Sequence, residues 1–423
     1  MAWAIAEHSP SYLFCCRKAF CIDNIRAAVE KHITIPREIE DAMDFSCTDE
    51  QAKLKKSVIE FAERELNKDL VARDRAGTFA REHWKRCAEF GIQGLSMPEE
   101  FGGRGLDPLT TVLAMEGLGY GCRDNGLIFG INAQIWSVQI PILRFGSDDQ
   151  KKTCLPKLVN GEWIGAHAMT ERGSGSDSFS LSTKAEKKGN SYILNGRKIF
   201  VSNAPVADVF LIFATLDKSK GFMGITAFLV EKGAPGLSVS RPVEMMGLRT
   251  GPIGEVILED CVVSAENRLG KEGNGGSIFK NLIAWERSFI LASCIGTMER
   301  QLEICVKHAK ATQRFGKPIG SFQSISNKLV DMKLRLETAR LLIHRTGWRR
   351  TKGEEAGQDA ALTKLYLSEC FVQSSLDAIQ IHGGHGCTID HELERDLRDA
   401  VESKIYSGTS EMQREIIARS MGL

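Results

Sequence analysis

The hydrophobic pattern changes period twice along the chain, and this constrains the fold more than any single residue. Leu54, Val58, Phe61 and Leu66 follow Asp49-Glu50-Gln51 at helical spacing. A Pro/Gly break at Pro98-Glu99-Glu100-Phe101-Gly102-Gly103 precedes a helix expected over Pro108–Leu118, and helical and apolar segments continue through residues 124–159. Between 165 and 265 glycine becomes frequent and β-branched runs appear. Ser191-Tyr192-Ile193-Leu194, Asn195-Gly196 and Lys198-Ile199-Phe200-Val201 together predict a hairpin, because Asn-Gly favours the positive φ of a two-residue turn. Val209–Leu216, Gly224–Val230 and Glu255–Leu258 predict further strands. From Gly276 the helical period returns in three long stretches, Ile278–Thr312, Ser324–Lys352 and Ala360–His382, whose length predicts a bundle. The resulting order is α, β, α.

At ~150 residues per domain, 423 residues predict about three domains. The expected divisions are a helical domain over 43–164, a β domain over 165–275 and a helical domain over 276–423. Residues 1–42 form an extension with no assigned role; Glu7 and Asp23 weaken a transit-peptide reading, and Met43 offers a second start. With 55 Lys+Arg against 54 Asp+Glu, the net charge of +1 argues against a nucleic-acid-binding face. No window approaches ~18 uninterrupted apolar residues, so no membrane span is expected. The 12 cysteines form no CxxC pair and no zinc-like cluster, and the adjacent Cys15-Cys16 carries no role on pattern alone. Scattered reduced thiols predict a cytoplasmic protein, or an organellar-matrix one if residues 1–42 are a targeting segment.

Three stretches could carry chemistry. Thr170-Glu171-Arg172-Gly173-Ser174-Gly175-Ser176-Asp177 combines small residues with hydroxyl donors where the α texture turns to β. It is an ordinary loop or a ligand-approach loop; it is not a Walker loop or a dinucleotide fingerprint. Gln380-Ile381-His382-Gly383-Gly384-His385-Gly386 reads as a helix C-cap or as backbone exposed to a ligand, and no metal is expected from its two histidines. Trp285-Glu286-Arg287 places Glu286 on one helix face with Phe279, Leu282, Ile283, Phe289 and Ile290. A carboxylate in an apolar stripe is costly unless paired or protonated, which suits either a general base or a structural ion pair.

Together these stretches resemble the acyl-CoA dehydrogenase family of flavoproteins, from about Met43 to Leu423. The resemblance rests on Pro98–Gly103, Gly161-Glu162-Trp163-Ile164-Gly165, Met169-Thr170-Glu171, Gly175-Ser176-Asp177, Phe315-Gly316-Lys317-Pro318, Gly383-Gly384 and Gly408-Thr409-Ser410, all in the family's order. It implies an α+β fold with an N-terminal helical domain, a β-barrel-like middle domain and a C-terminal four-helix bundle. It also implies FAD held between the subunits of a homotetramer or homodimer. By resemblance, Met169, Thr170, Ser176, Phe200, Ser202, Arg314, Phe315, Gln380, Gly383, Gly384, Thr409 and Glu411 match positions near the cofactor. Ser176, Arg287 and Gly408 match positions near the substrate.

Phe200 and Ser202 stand where the family commonly has Trp and Thr, and Arg172 where it has Pro. Thr312 stands where it has Arg, a charge that the neighbouring Arg314 would have to supply. Many members carry the catalytic Glu just before Gly-Thr-Ser, where this chain has Ser407. A subset similar to isovaleryl-CoA dehydrogenase carries it before an Arg in the first long helix of the third domain, as Glu286-Arg287 does. The resemblance then implies that Glu286 takes the α-proton of an acyl thioester while the β-hydride passes to flavin N5. The Ser407 backbone N–H would face the developing oxyanion.

The implied substrate is an acyl-CoA, or an acyl or aminoacyl group on a carrier protein. Cys122–Leu127 and Ser202–Asp208 look like the corresponding stretches of prolyl-carrier-protein dehydrogenases. The implied electron acceptor is an electron-transfer flavoprotein or oxygen. Two other readings are a flavin-dependent oxidase or monooxygenase on the same fold, and a non-catalytic FAD-binding, DNA-associated relative; the charge balance and Glu286 disfavour the last.

Overall fold

The computed structural model describes residues 46–423, so the readings of residues 1–42, Met43 and Cys15-Cys16 lie outside the described residues. Helix α1 (Asp49–Glu65) opens on a capping box in which the Thr48 side chain accepts from the Gln51 N–H and Gln51 reaches back to the Thr48 N–H. Helices α2 (Leu70–Ala76), α3 (Arg81–Phe90) and α4 (Pro108–Gly121) follow. Helix α4 starts with Asp107 as N-cap and Pro108 in the first turn, where the missing N–H costs nothing. It is buried nearly all round. Gly119 on α4 and Gly296 on the later helix Ala292–Ala311 let the two backbones touch: a Cβ at Gly119 would lie 1.8 Å from the Ser293 carbonyl oxygen, and one at Gly296 2.0 Å from that of Glu116.

Helix α5 (Asn125–Gln134) runs through a π-turn (Ile135–Gln139) into α6 (Ile140–Phe145), and α7 (Asp148–Val159) closes the first helical region. The run Asn125–Phe145 is apolar because it is almost wholly packed inside the molecule. Trp136 within it is fully buried, a burial of the kind that contributes about 1.5–3 kcal/mol per large apolar side chain.

Eight strands form one sheet: β1 (Gly165–Ala168), β2 (Lys184–Lys188), β3 (Ser191–Ser202), β4 (Val209–Thr215), β5 (Ile225–Glu231), β6 (Leu237–Val239), β7 (Ile253–Ser264) and β8 (Arg268–Leu269). The ladder runs β6-β7-β3-β2-β4-β5-β8, with β1 alongside β4 in parallel. Strand β4 is buried at every position, and its residues alternate between two cores. Leu211 and Phe213 face the core shared with the helices, while Phe210 and Ile212 face a core inside the sheet with Tyr192, Phe228 and Val256.

The expected Asn195-Gly196 hairpin is overturned. Residues 191–202 form a single strand, and the two-residue turn is Gly189-Asn190, joining β2 to β3. Asn195-Gly196 is instead an irregularity in the β3–β7 ladder, where pairing shifts between Leu194 and Gly196. Two contacts claim these residues. The Asn195 amide exchanges hydrogen bonds with Asp260 on β7, and Gly196 leaves room for Thr183, whose Oγ1 would lie 2.4 Å from a Cβ there.

The last region holds α8 (Gly275–Phe289), α9 (Ala292–Ala311), a short β9–β10 hairpin (Gln313–Arg314, Lys317–Pro318), α10 (Gln323–Thr351), α11 (Gly357–His382), α12 (Leu393–Glu402) and α13 (Ser410–Ser420). Helices α8–α11 pack on one another as a bundle. The single helix expected over Ile278–Thr312 is two, broken at Ile290-Leu291. The break lets α8 pack on the π-turn and on β5 while α9 runs along α4.

Candidate active site

The geometry centres on Glu286, on α8 and only 9% exposed. Its Oε2 accepts from the Ser137 hydroxyl at 2.6 Å and its Oε1 from the Ser407 hydroxyl at 2.5 Å. The apolar stripe expected around Glu286 is present, with Phe279, Leu282, Phe289 and Ile290 buried. The carboxylate is made tolerable there by hydroxyl donors from two other segments. Ser137 belongs to the π-turn, whose packing side is a cluster of Trp136, Trp285 and Phe289, with ring centroids 4.9 Å apart for Trp136–Phe289.

Ser407 lies between α12 and α13 with φ +57°, a left-handed backbone unusual for a residue with a Cβ. Such residues cluster at functional sites when their surroundings hold them. Here the next carbonyl, of Gly408, accepts from Lys364 Nζ at 2.7 Å and Gln413 Nε2 at 2.8 Å, and Arg287 Nε donates to the Ser407 carbonyl at 3.4 Å. Thr409 caps α13 through the Met412 N–H. The Ser407 N–H makes no backbone hydrogen bond among the described residues.

Lys364 is fully buried, and burial with Arg287 nearby pulls its ammonium down to about 7. His167 on β1 packs against Phe213 and Phe279. Burial lowers its pKa to about 4, so its ring is neutral near pH 7. One turn beyond Glu286, Ile290 and Tyr406 help line a cavity with Phe129, Phe371 and Asp399, of about 10 Å³, room for roughly one water molecule.

A second group of candidates gathers on the middle domain. The Ile199 N–H donates to the Thr170 carbonyl at 2.9 Å, joining the Met169-Thr170 segment to the strand that carries Phe200. Buried Lys198 donates to the Met169 carbonyl at 3.1 Å and to Glu171 at 2.8 Å, and Glu171 accepts the Ser182 and Thr183 N–H groups. Glu171 and Ser174 close a tight turn with Arg172 at its second position, where Pro is favoured but any residue of negative φ fits. Ser176 is exposed on that loop, and Ser202 ends β3 opposite Ile253.

Phe200 is 57% exposed with φ +52°, and Phe315, at the tip of the β9–β10 turn, is 94% exposed with φ +50°. Arg314, Gln380, Gly383, Gly384 and Glu411 are also exposed. None of these five makes a hydrogen bond to Glu286 or to the residues that hold it. The Arg314 side chain donates to its neighbour Gln313, and Thr312 lies beside His308. Gly383 ends α11, so the C-cap reading holds, yet a Cβ on Gly383 or Gly384 would meet nothing within 4 Å. Among the described residues no group of three His, Cys, Asp or Glu side chains is placed to hold a metal ion.

Sequence reasoning missed Ser137, Lys364, Lys198 and His167. Pro141 was the available signal for Ser137. In an α-helix its ring would meet the carbonyl four residues back, that of Ser137, and the π-turn opens the helix there. Nothing in the spacing of Lys364 sets it apart from a solvated helix lysine.

The arrangement matches known proteins over nearly its whole length. The family descriptions that match are "Acyl-CoA dehydrogenase, N-terminal domain" over residues 48–162, "middle domain" over 166–261 and "C-terminal domain" over 273–422. An L-prolyl-[peptidyl-carrier protein] dehydrogenase of Pseudomonas fluorescens is 42% identical, covering 90% of this chain and 100% of that one. A mitochondrial isovaleryl-CoA dehydrogenase of Pongo abelii is 37% identical, covering 92% of each chain. Among solved structures, the prolyl acyl carrier protein oxidase AnaB superposes with a TM-score of 0.89 at 49% identity, covering 89% of this chain and 100% of that one. PigA with FAD and proline superposes with a TM-score of 0.88 at 42% identity, covering 90% of this chain and all of the other. With a buried carboxylate on the first long helix of the third domain and these likenesses across all three domains, the chain belongs to the acyl-CoA dehydrogenase family.

Proposed function

We propose that this protein is an FAD-dependent dehydrogenase of a carrier-protein-bound aminoacyl thioester, with L-prolyl as the acyl group. The observation that carries the reaction type is the buried Glu286 carboxylate held between Ser137 and Ser407. The prolyl assignment is supported by relatives named as acting on prolyl-carrier proteins.

The surface around the second group fits FAD. Phe200 and Phe315 expose apolar rings on left-handed backbone, and Gly383-Gly384 leaves bare backbone that a flat ring system can approach. Met169, Thr170, Ser176, Phe200 and Ser202 would hold the isoalloxazine end. Arg314, Phe315, Gln380, Gly383, Gly384, Thr409 and Glu411 would hold the cofactor at a subunit contact of a homotetramer or homodimer. The bound FAD supplies the hydride acceptor.

Within this chain, Glu286 takes the proton from the α-carbon as the β-carbon gives up a hydride, leaving an α,β-unsaturated thioester and a protonated Glu286. The Ser407 N–H faces the thioester oxygen and steadies the charge that develops there. Lys364 and Gln413 fix the Gly408 carbonyl and so aim that N–H, while Arg287 holds the preceding carbonyl. Burial of Glu286 keeps bulk water from competing for the proton.

Anaerobic titration of the yellow protein tests the reading. L-prolyl thioester on a peptidyl carrier protein should bleach the flavin at stoichiometric amounts while isovaleryl-CoA does not; bleaching by isovaleryl-CoA alone would overturn the prolyl assignment. Oxygen is a second reading of the electron acceptor beside an electron-transfer flavoprotein, favoured by the 49% identity to a protein described as an oxidase. Peroxide formed in step with turnover, with no protein acceptor present, would decide for oxygen.

A further inference from the structure

We propose that Ser137 is a positioning residue that fixes Oε2 of Glu286, so that Oε1 is the oxygen that takes the α-proton; this rests on the assignment of Glu286 as the base. The two carboxylate oxygens have unequal surroundings. Oε2 faces Ser137, itself 2% exposed, on a π-turn clamped by Trp136 against Phe289 and Trp285. Oε1 faces Ser407, which is partly exposed, on the turn whose N–H points to the thioester oxygen in the proposed reaction. The α-carbon is one bond from the thioester carbonyl, so the oxygen on the Ser407 side is the one it meets.

The placement of Ser137 is written into the backbone. Pro141 has no N–H, and the Ile140 N–H instead reaches the Ile135 carbonyl, five residues back. The extra residue turns Ser137 toward α8. A hydroxyl donor on the fixed oxygen stops rotation of the carboxylate plane and steadies its ionised form.

The other groups facing Glu286 do not replace this donor. Arg287 donates to the Ser407 carbonyl and Lys364 to that of Gly408. His167 is neutral, and Tyr406 faces the cavity.

The test uses the FAD-loaded full chain and anaerobic stopped-flow bleaching with the L-prolyl-carrier-protein thioester, comparing wild type, Ser137→Ala, Ser137→Thr and Glu286→Gln. Losing one hydrogen bond to a charged group should slow bleaching by Ser137→Ala roughly 10- to 100-fold. The half-saturating thioester concentration should stay within about twofold, since the contact acts in the chemical step. Ser137→Thr keeps the hydroxyl and should retain most of the rate. Bleaching by Ser137→Ala at the wild-type rate across pH overturns the proposal, as does equal loss in the Ala and Thr variants with FAD retained. Undiminished bleaching by Glu286→Gln overturns the base assignment instead. If only isovaleryl-CoA bleaches the wild type, the prolyl assignment falls, and the same comparison with that thioester decides the role of Ser137.

Discussion

The Ser407 hydroxyl donates to Oε1 of Glu286 at 2.5 Å. Ser407 is therefore hydrogen-bonded to the carboxylate proposed as the base. The short Ser407 side chain meets the Glu286 carboxylate that reaches it from α8. General-base catalysis contributes about 10²–10⁴-fold, so Glu286→Gln should lower the bleaching rate by at least that range while the flavin absorbance of the purified protein is unchanged.

Ser407→Gly separates the two roles of that residue. It removes the hydroxyl but keeps the N–H, and it relieves a left-handed backbone that costs a residue with a Cβ about 1–2 kcal/mol. The expected outcome is a higher unfolding midpoint together with bleaching slowed roughly tenfold. A variant both less stable and fully active would contradict the geometry.

Lys364 lies near 7 instead of its ordinary 10.5, chiefly because it is buried. Between those values the unfolded chain holds a proton that the folded chain lacks, so this group makes stability rise with pH from about 7 to 10.5. Lys364→Met should flatten that rise in thermal unfolding followed against pH. Gln413 still holds the Gly408 carbonyl in this variant, so the protein should fold, with slower bleaching from a looser turn.

Glu116 ties three helices together, accepting from Lys55 on α1 and from Arg340 and His344 on α10. Burial pushes its pKa up, but the His344 hydrogen bond and the charges of Arg340 and Lys55 outweigh that and hold it at about 2 against an ordinary 4.5. The stability it contributes is present above pH 4.5 and is lost as pH falls toward 2. A shift of that size corresponds to about 3 kcal/mol. Glu116→Gln should lower the urea midpoint at pH 7 and remove part of the acid-side slope.

The order of helical and strand regions was legible because each region buries an apolar face of its own period. Glu286 was legible for the same reason, as a carboxylate interrupting such a face. The Asn195-Gly196 turn and the single helix over 278–312 were misread because contacts distant in sequence decide them. Asp260 and Thr183 claim the Asn-Gly pair, and the packing of α9 on α4 breaks the helix.

The sequence by itself determined the α–β–α order and the family motifs, and it singled out Glu286 as a carboxylate in an apolar helix face. Local spacing and composition suffice for these because they reflect periodicity and short-range backbone preference. Only the tertiary structure decided what surrounds Glu286. Ser137 lies 149 residues from it in the chain and Ser407 lies 121 residues away. A hydrogen bond depends on positions in space, and those are fixed only when the π-turn, α8 and the loop before α13 pack together.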